Sequence, residues 1–469
     1  MSEGFGDTVF AGRMIRIAIA TAAVAGGFAL AAQGATAATD FRWYKGYDEA
    51  STPSKLDKVG VLSVGPRKAK KILILNPGTS GAAAYFYPLA KQITKQTRGW
   101  QVWSIERRGT QLEDQSVFDR VKLGEATVEE MADYYLLWLT DPSISDHFEF
   151  IDDSEVGFGR EWGMKVAVED LKRVVDRANR KAETVVMGGH SLGGSITTAY
   201  ATWDFNGEPG ASGLDGLVFI DGGSGPDPSL TPAEATDRLD ELAADSPWLS
   251  FGGIAAPFTG LFNSVGADLA LNAPKEPSVL HTWPLLPANL KAPVLPTNRA
   301  GYGYALDADT SPSSLAAAQV NAGRLAKSGD PRDWVRAGEI SPLRRVAKAF
   351  AAPDLLGMDG TAWYHPTRLN LDSGGVAAGN DNPTQDVLDL DAIHGDDLGR
   401  MPIYAFGAAL GGQRVLDAAA SLAEQSSIPE RKLRLVNREN AYTHIDPLTA
   451  QPKNAFVRNL KQFLRGQVG

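Results

Sequence analysis

The chain has 469 residues, 43% hydrophobic and 22% charged, so it can hold two or three domains or one domain with a large insertion, in a balance ordinary for a globular protein. A formal charge of −10 and a pI near 5.2 argue against nucleic acid or any other polyanionic partner. The absence of cysteine excludes disulfides, thiol nucleophiles, thiolate metal sites and lipoprotein attachment, and leaves stability to the core.

Arg13 and Arg16 precede an apolar run from Ile17 to Ala32, which leads to Gly34-Ala35-Thr36-Ala37-Ala38. A positive region, an apolar region and an Ala-x-Ala site in that order predict a signal peptide over residues 1–38, cut after Ala37 or Ala38. The run is short and built of small residues, which disfavours an uncleaved membrane anchor. The expected location is secreted or in the cell envelope, with no stable anchor after cleavage.

The mature chain opens with a candidate edge strand at Phe41–Tyr44, followed by strands at Val59–Val64, Lys71–Leu75 and Trp100–Ile105 and a helix over Pro88–Gln96. This alternation predicts a parallel sheet with helical crossovers. Residues 110–163 form a longer excursion, with a helix around Glu129–Leu139 and an acidic loop at Phe148–Asp153. Met164, Val168, Leu171 and Val175 then fall on one face of a helix ending near Asn179.

Thr184–Met187 is a short β-branched strand that runs into Gly188-Gly189-His190-Ser191-Leu192-Gly193-Gly194. Ser191 has Gly189 two residues before it and Gly193 two after, the G-x-S-x-G nucleophile elbow, in which a strained turn projects the serine hydroxyl from the end of a sheet. Side chains at the flanking positions would collide with the neighbouring strand or helix. A further core strand spans Gly213–Asp221.

From Ser224 to Leu398 the pattern loses its alternation, with helices expected at Pro232–Ala244, Ser314–Lys327 and Leu343–Ala351. This stretch reads as an inserted cap whose apolar and aromatic residues, Trp283, Leu285, Leu286, Tyr302, Tyr304, Trp363 and Tyr364 among them, mostly build its own core. Strands return at Met401–Phe406 and Lys432–Val436, and a closing helix capped by Asn454 presents Phe456, Leu460, Phe463 and Leu464. The expected organisation is therefore core at 39–223, cap at 224–398 and core again at 399–469.

A serine hydroxyl needs a base, and the chain offers six histidines. His190 adjoins Ser191 and should point away from its hydroxyl. His147 lies in the excursion, and His281, His365 and His394 lie in the expected cap. His444 follows the last strand at the elbow's end of the sheet and is the expected base. The residue after the nucleophile, Leu192, is expected to offer its N–H to a developing oxyanion.

With an elbow at Gly189–Gly193 and a late His444 before a C-terminal helix, the chain resembles the α/β-hydrolase superfamily over roughly residues 41–223 and 399–469. The resemblance implies an α/β fold, a mostly parallel sheet flanked by helices, and the order serine, acid, histidine. The acid there commonly follows the strand before the histidine strand, but here that loop reads Gly407-Ala408-Ala409-Leu410-Gly411-Gly412-Gln413, with no carboxylate before Asp417. Some members place the acid one strand earlier, which selects Asp221 and leaves Asp417 as the alternative. Asp446 is too near His444 in sequence to orient it. The resemblance also puts the second oxyanion donor in the loop after Lys71–Leu75, at the N–H of Thr79, with Ser80 as the alternative.

The expected activity is cleavage of a small-molecule or lipid-like carboxylic ester through an acyl-enzyme. A peptidase, an acyltransferase and a non-catalytic binding protein on the same fold are the rivals. No P-loop or Rossmann fingerprint points to a nucleotide cofactor, and the acidic run Asp389–Asp397 lacks the spacing of a calcium loop.

Overall fold

The computed structural model describes residues 38–468, so all but the last residue of the expected signal peptide lies outside the described residues. Ten strands occur in chain order: β1 (Thr39–Lys45), β2 (Lys58–Val64), β3 (Lys71–Asn76), β4 (Trp100–Glu106), β5 (Thr184–His190), β6 (Gly216–Ile220), β7 (Arg324–Leu325), β8 (Trp334–Val335), β9 (Ile403–Gly407) and β10 (Leu433–Asn437). Eight of them form one sheet in the order β1-β2-β4-β3-β5-β6-β9-β10, while β7 and β8 make a separate two-residue ribbon. β2 is antiparallel to both β1 and β4, and every other neighbouring pair in the large sheet is parallel.

The six inner strands of the large sheet are largely buried on both faces because helices cover both faces. Leu73 and Leu75 of β3 join a cluster with Leu89 and Ile93 of the helix Tyr87–Gln96 and Phe456 and Leu460 of the helix Ala455–Gly466. Ile72 and Ile74, one residue out of phase, meet Leu171 and Val175 of the helix Met164–Lys181 and Ile196 of the helix Leu192–Thr202. After β3 the chain places β4 on one side, and β5 then pairs on β3's other side. The crevice at that reversal, beyond the carboxyl ends of β3 and β5, is where an open sheet of this kind forms a site. Asn76 is in register with Gly189, which brings the loop after β3 against the elbow. This is the α/β-hydrolase fold.

The segment between β6 and β9 contains the helices Pro232–Ala244 and Leu343–Ala351, as the sequence suggests. The expected helix over Ser314–Lys327 is not formed. A 3-10 turn spans Ser313–Ala318, after which the backbone bonds elsewhere: Val320 N–H to Leu306 O, and Ala322 and Gly323 N–H to the Asp307 carboxylate. Tertiary hydrogen bonds outweigh the local helical preference of that Ala-rich run. The helix Phe258–Asn272 carries no clear amphipathic signal in the sequence because it is buried along most of its length.

Several aromatic side chains of this segment pack into clusters shared with the rest of the chain. Trp283, Trp363 and Tyr364 lie with Phe118, Tyr135 and Phe148 of the excursion, and Tyr302 joins the cluster against the sheet. Leu285 is exposed. Among the described residues, no helix is long and apolar enough to cross a membrane.

At the end of β4, Glu106 is buried and accepts from Ala83 N–H at Oε2. Burial, with the nearby Asp359 adding to it, raises its carboxyl from the ordinary 4.5 to about 8. Between those values the folded chain keeps a proton that the unfolded chain has released, so this group's stabilisation is present below pH 4.5 and is lost as pH rises toward 8. Glu106→Gln is therefore expected to raise the melting temperature at pH 8 and to leave it nearly unchanged at pH 5. Calorimetric scans across that range check it, and a pH-independent difference would refute the account.

Candidate active site

The backbone at Ser191 has φ 57° and ψ −128°, a conformation that costs a non-glycine residue roughly 1–3 kcal/mol and persists only where its surroundings enforce it. They do so here through close approach. A Cβ on Gly189 would run into the carbonyl of Gly193, and one on Gly193 would run into the carbonyl of Asn76. Ser191 N–H bonds Ile220 O at 3.0 Å, tying the turn to β6. The eleven-residue helix Leu192–Thr202 begins immediately after it and directs its positive end at the serine.

His444 is buried, and its Nδ1 lies 2.6 Å from Asp221 Oδ2. An ionised carboxylate only accepts, so Nδ1 carries the hydrogen, and in the neutral ring the lone pair is on Nε2. Nε2 is buried and meets no hydrogen-bond partner among the described residues, and both Ser191 and His444 line the same cavity.

The other oxygen of Asp221, Oδ1, accepts from the N–H groups of Ala408 (2.7 Å), Gly411 (2.9 Å) and Gly412 (3.2 Å), and Leu410 N–H reaches Oδ2 at 3.3 Å. The loop that lacks a carboxylate in the sequence thus cradles one supplied by β6. Gly411 is needed there, since a Cβ on it would sit 2.8 Å from Oδ1. Burial alone would raise the Asp221 carboxyl. The hydrogen bond and charge of His444, together with the Ala408 N–H, outweigh it and hold the carboxyl below its usual range.

Asp417 is not brought to the site. It is exposed on the helix Gly412–Gln425 and accepts from Gln413 on its own helix. Asp446 is committed to holding the histidine loop, accepting from Ser341 Oγ at 2.6 Å and from the N–H groups of Thr443 and Asn321.

The remaining histidines are occupied differently. His147 stacks on Trp138, His394 meets Asp204, and His365 bonds Asn370, with burial and the neighbouring Arg107 holding its pKa near 3. His281 lines the cavity without a carboxylate bonded to it. Among the described residues, no group of three or more His, Asp and Glu is arranged to hold a metal ion, and Asp389 pairs with Lys165.

The loop after β3 closes over the serine. A Cβ on Gly78 would lie 2.8 Å from Ser191 Cβ and 3.4 Å from Oγ, and Thr79 and Ser80 line the cavity beside it. Arg107, at the end of β4, donates to Pro77 O (2.7 Å) and Gly78 O (2.6 Å). A trans peptide opposes its C=O and N–H, so Arg107's grip on Gly78 O turns Thr79 N–H the other way. Burial lowers the Arg107 pKa to about 10, which leaves it charged at neutral pH. Tyr85, whose hydroxyl accepts the N–H of Gly78 at 2.7 Å, and Arg107 escape sequence reasoning. Arg107 carries a weak signal as one of two consecutive arginines closing a core strand, and Tyr85 carries none.

The cavity, about 150 Å³ in all, is otherwise lined mostly by apolar side chains of the β6–β9 segment, among them Phe251, Ile254, Phe262, Leu269, Leu306 and Phe350.

No protein-family model and no curated protein sequence matches the chain. Among solved structures, a lipase candidate from Sulfolobus solfataricus is 16% identical, with 90% of this chain and 93% of that one covered at a TM-score of 0.48. Epoxide hydrolase A from Mycobacterium thermoresistibile is 14% identical, with 92% and 99% covered and a TM-score of 0.41. A soluble variant of monoglyceride lipase from Saccharomyces cerevisiae is 11% identical, with 92% and 96% covered at 0.37. With TM-scores this low, the assignment of fold rests on the sheet order and the turn at Ser191.

Proposed function

We propose that the protein is a serine hydrolase that cleaves carboxylic esters. The observation that carries this reading is His444, committed at Nδ1 to a buried carboxylate and uncommitted at Nε2 within the cavity that Ser191 lines. In this mechanism His444 Nε2 takes the Ser191 proton as Oγ attacks the acyl carbon, and Asp221 stabilises the imidazolium. The N–H groups of Leu192 and Thr79 receive the oxyanion, aided by the helix N-terminus. The tetrahedral species collapses as His444 protonates the leaving alcohol. Water then attacks the acyl-enzyme, with His444 again the base, and releases the acid and free Ser191.

Residues 224–398 act as a cap over this centre, and their apolar side chains suit the hydrocarbon part of an ester better than a charged peptide. The run before Ala38 serves as a signal peptide, so the protein works outside the cytoplasm without a lasting membrane anchor. Its partners are small-molecule or lipid-like esters.

Labelling with a fluorophosphonate, followed by peptide mapping, is expected to place one adduct on Ser191 in protein whose N-terminus begins after Ala37 or Ala38. The labelled protein should lose p-nitrophenyl ester turnover. Absence of an adduct, or faster cleavage of an aminoacyl anilide than of the ester, would sink the esterase reading.

A further inference from the structure

His190 stands between Gly189 and Ser191, and the mechanism gives it no step. Its ring is buried, yet both nitrogens are engaged. Nε2 lies 2.9 Å from the carbonyl oxygen of His444, and Nδ1 lies 3.2 Å from the hydroxyl of Tyr85. That hydroxyl receives the N–H of Gly78 at 2.7 Å.

The chemistry of each group fixes the direction of every bond. A carbonyl only accepts, so His190 Nε2 carries the hydrogen. A backbone N–H only donates, so Gly78 gives its hydrogen to the Tyr85 oxygen. In a neutral imidazole Nδ1 then accepts the remaining hydroxyl hydrogen of Tyr85. Burial, and after it the nearby His444, lower the His190 pKa to about 3, so the ring stays neutral where the enzyme works.

We infer that His190 and Tyr85 are positioning residues: the run from Gly78 N–H through Tyr85 and His190 to His444 O locks together the loop carrying Thr79, the elbow carrying Ser191 and the loop carrying His444. The inference rests on Ser191 and His444 being the nucleophile and base. Asp221 fixes the His444 ring at Nδ1, while His190 fixes its main chain, so the imidazole is held at two points from two different strands. A misplacement of about 1 Å between reacting groups can cost on the order of 100-fold in rate. The two histidine rings lie 4.3 Å apart, so a neutral His190 also spares the imidazolium of His444 a like-charged neighbour.

The first test needs no variant. In the intact protein with ¹⁵N-labelled histidine, His190 is expected as a neutral Nε2–H tautomer that does not titrate between pH 5 and 8. An Nδ1–H tautomer, or a ring that protonates in that range, overturns the inference whatever the enzyme's substrate. The second test is kinetic, on a p-nitrophenyl ester. His190→Leu is expected to lower kcat by 10-fold or more with KM within about twofold. His190→Gln, whose amide can still donate to His444 O, should recover most of that loss. Tyr85→Phe, nearly isosteric, should show the same kcat-only loss. If His190→Leu and Tyr85→Phe are both folded and both keep wild-type kcat, the run only satisfies buried polar groups and the inference fails. If Ser191→Ala remains active, the failure belongs to the assignment of the nucleophile, and the tautomer measurement still decides the hydrogen-bond run.

Discussion

Ser191→Ala is expected to lower kcat on p-nitrophenyl esters by about 10⁶-fold, the order found when a nucleophilic serine is removed from a hydrolase that keeps its base and oxyanion donors. The size of the effect follows from how the reaction is divided. Without Oγ no acyl-enzyme forms, and the remaining groups can only polarise the carbonyl and orient water. The fold should survive, because the elbow is enforced by its glycine contacts and by the Ser191 N–H bond to Ile220 O, and alanine keeps that N–H. Circular dichroism and melting temperature close to wild type, together with lost turnover and lost fluorophosphonate labelling, are the expected results. Turnover within tenfold of wild type in a folded variant would remove Ser191 from the chemistry.

The parts of the fold that a linear pattern can encode were legible in the sequence. The six inner strands of the large sheet are short, mostly apolar runs, and the edge strands β1 and β10 mix apolar with charged residues. The elbow announces itself through glycines that the structure explains by backbone contact on either side of Ser191. His444 is read from where its strand ends and Asp221 from the resemblance to the α/β-hydrolase superfamily, and the two side chains lie 2.6 Å apart. What was hidden depends on contacts between residues far apart in the chain. Nothing near Tyr85 signals that it bonds Gly78 and His190, and the pair of arginines closing β4 marks the place of Arg107 without telling that it grips the loop after β3. The β6–β9 segment was the least legible for the same reason. Gln319–Gly323 bonds to Leu306, Asp307 and Asp446, so the chain does not continue as a helix beyond the turn that holds Ala316–Ala318. The helix Phe258–Asn272 is buried widely enough to lose the periodicity that would mark it.

The missing carboxylate in the loop 407–413 is where sequence and structure inform each other most, and it makes Asp221→Asn the sharper test. The side chain that replaces the carboxylate must place one oxygen and one NH₂. The N–H groups of Ala408, Gly411 and Gly412 converge on the Oδ1 position, so the amide oxygen belongs there and the NH₂ is left facing His444 Nδ1. A donor at that point forces Nδ1 to accept, which moves the imidazole hydrogen to Nε2. His444 can then no longer take a proton from Ser191. Loss of the correct tautomer in a site of this kind costs about 10⁴-fold in kcat, and KM should change little because Asp221 does not line the cavity. Asp417→Asn, on an exposed helix face, is expected to leave kcat unchanged. Wild-type activity in Asp221→Asn would dismiss Asp221 as the orienting acid. If Asp417→Asn then lost activity, the acid would have to be reached by a rearrangement of the helix Gly412–Gln425. If neither variant lost activity, His444 would be working as a base without a carboxylate, and the N–H cradle around Asp221 would be a device for closing the sheet rather than for catalysis.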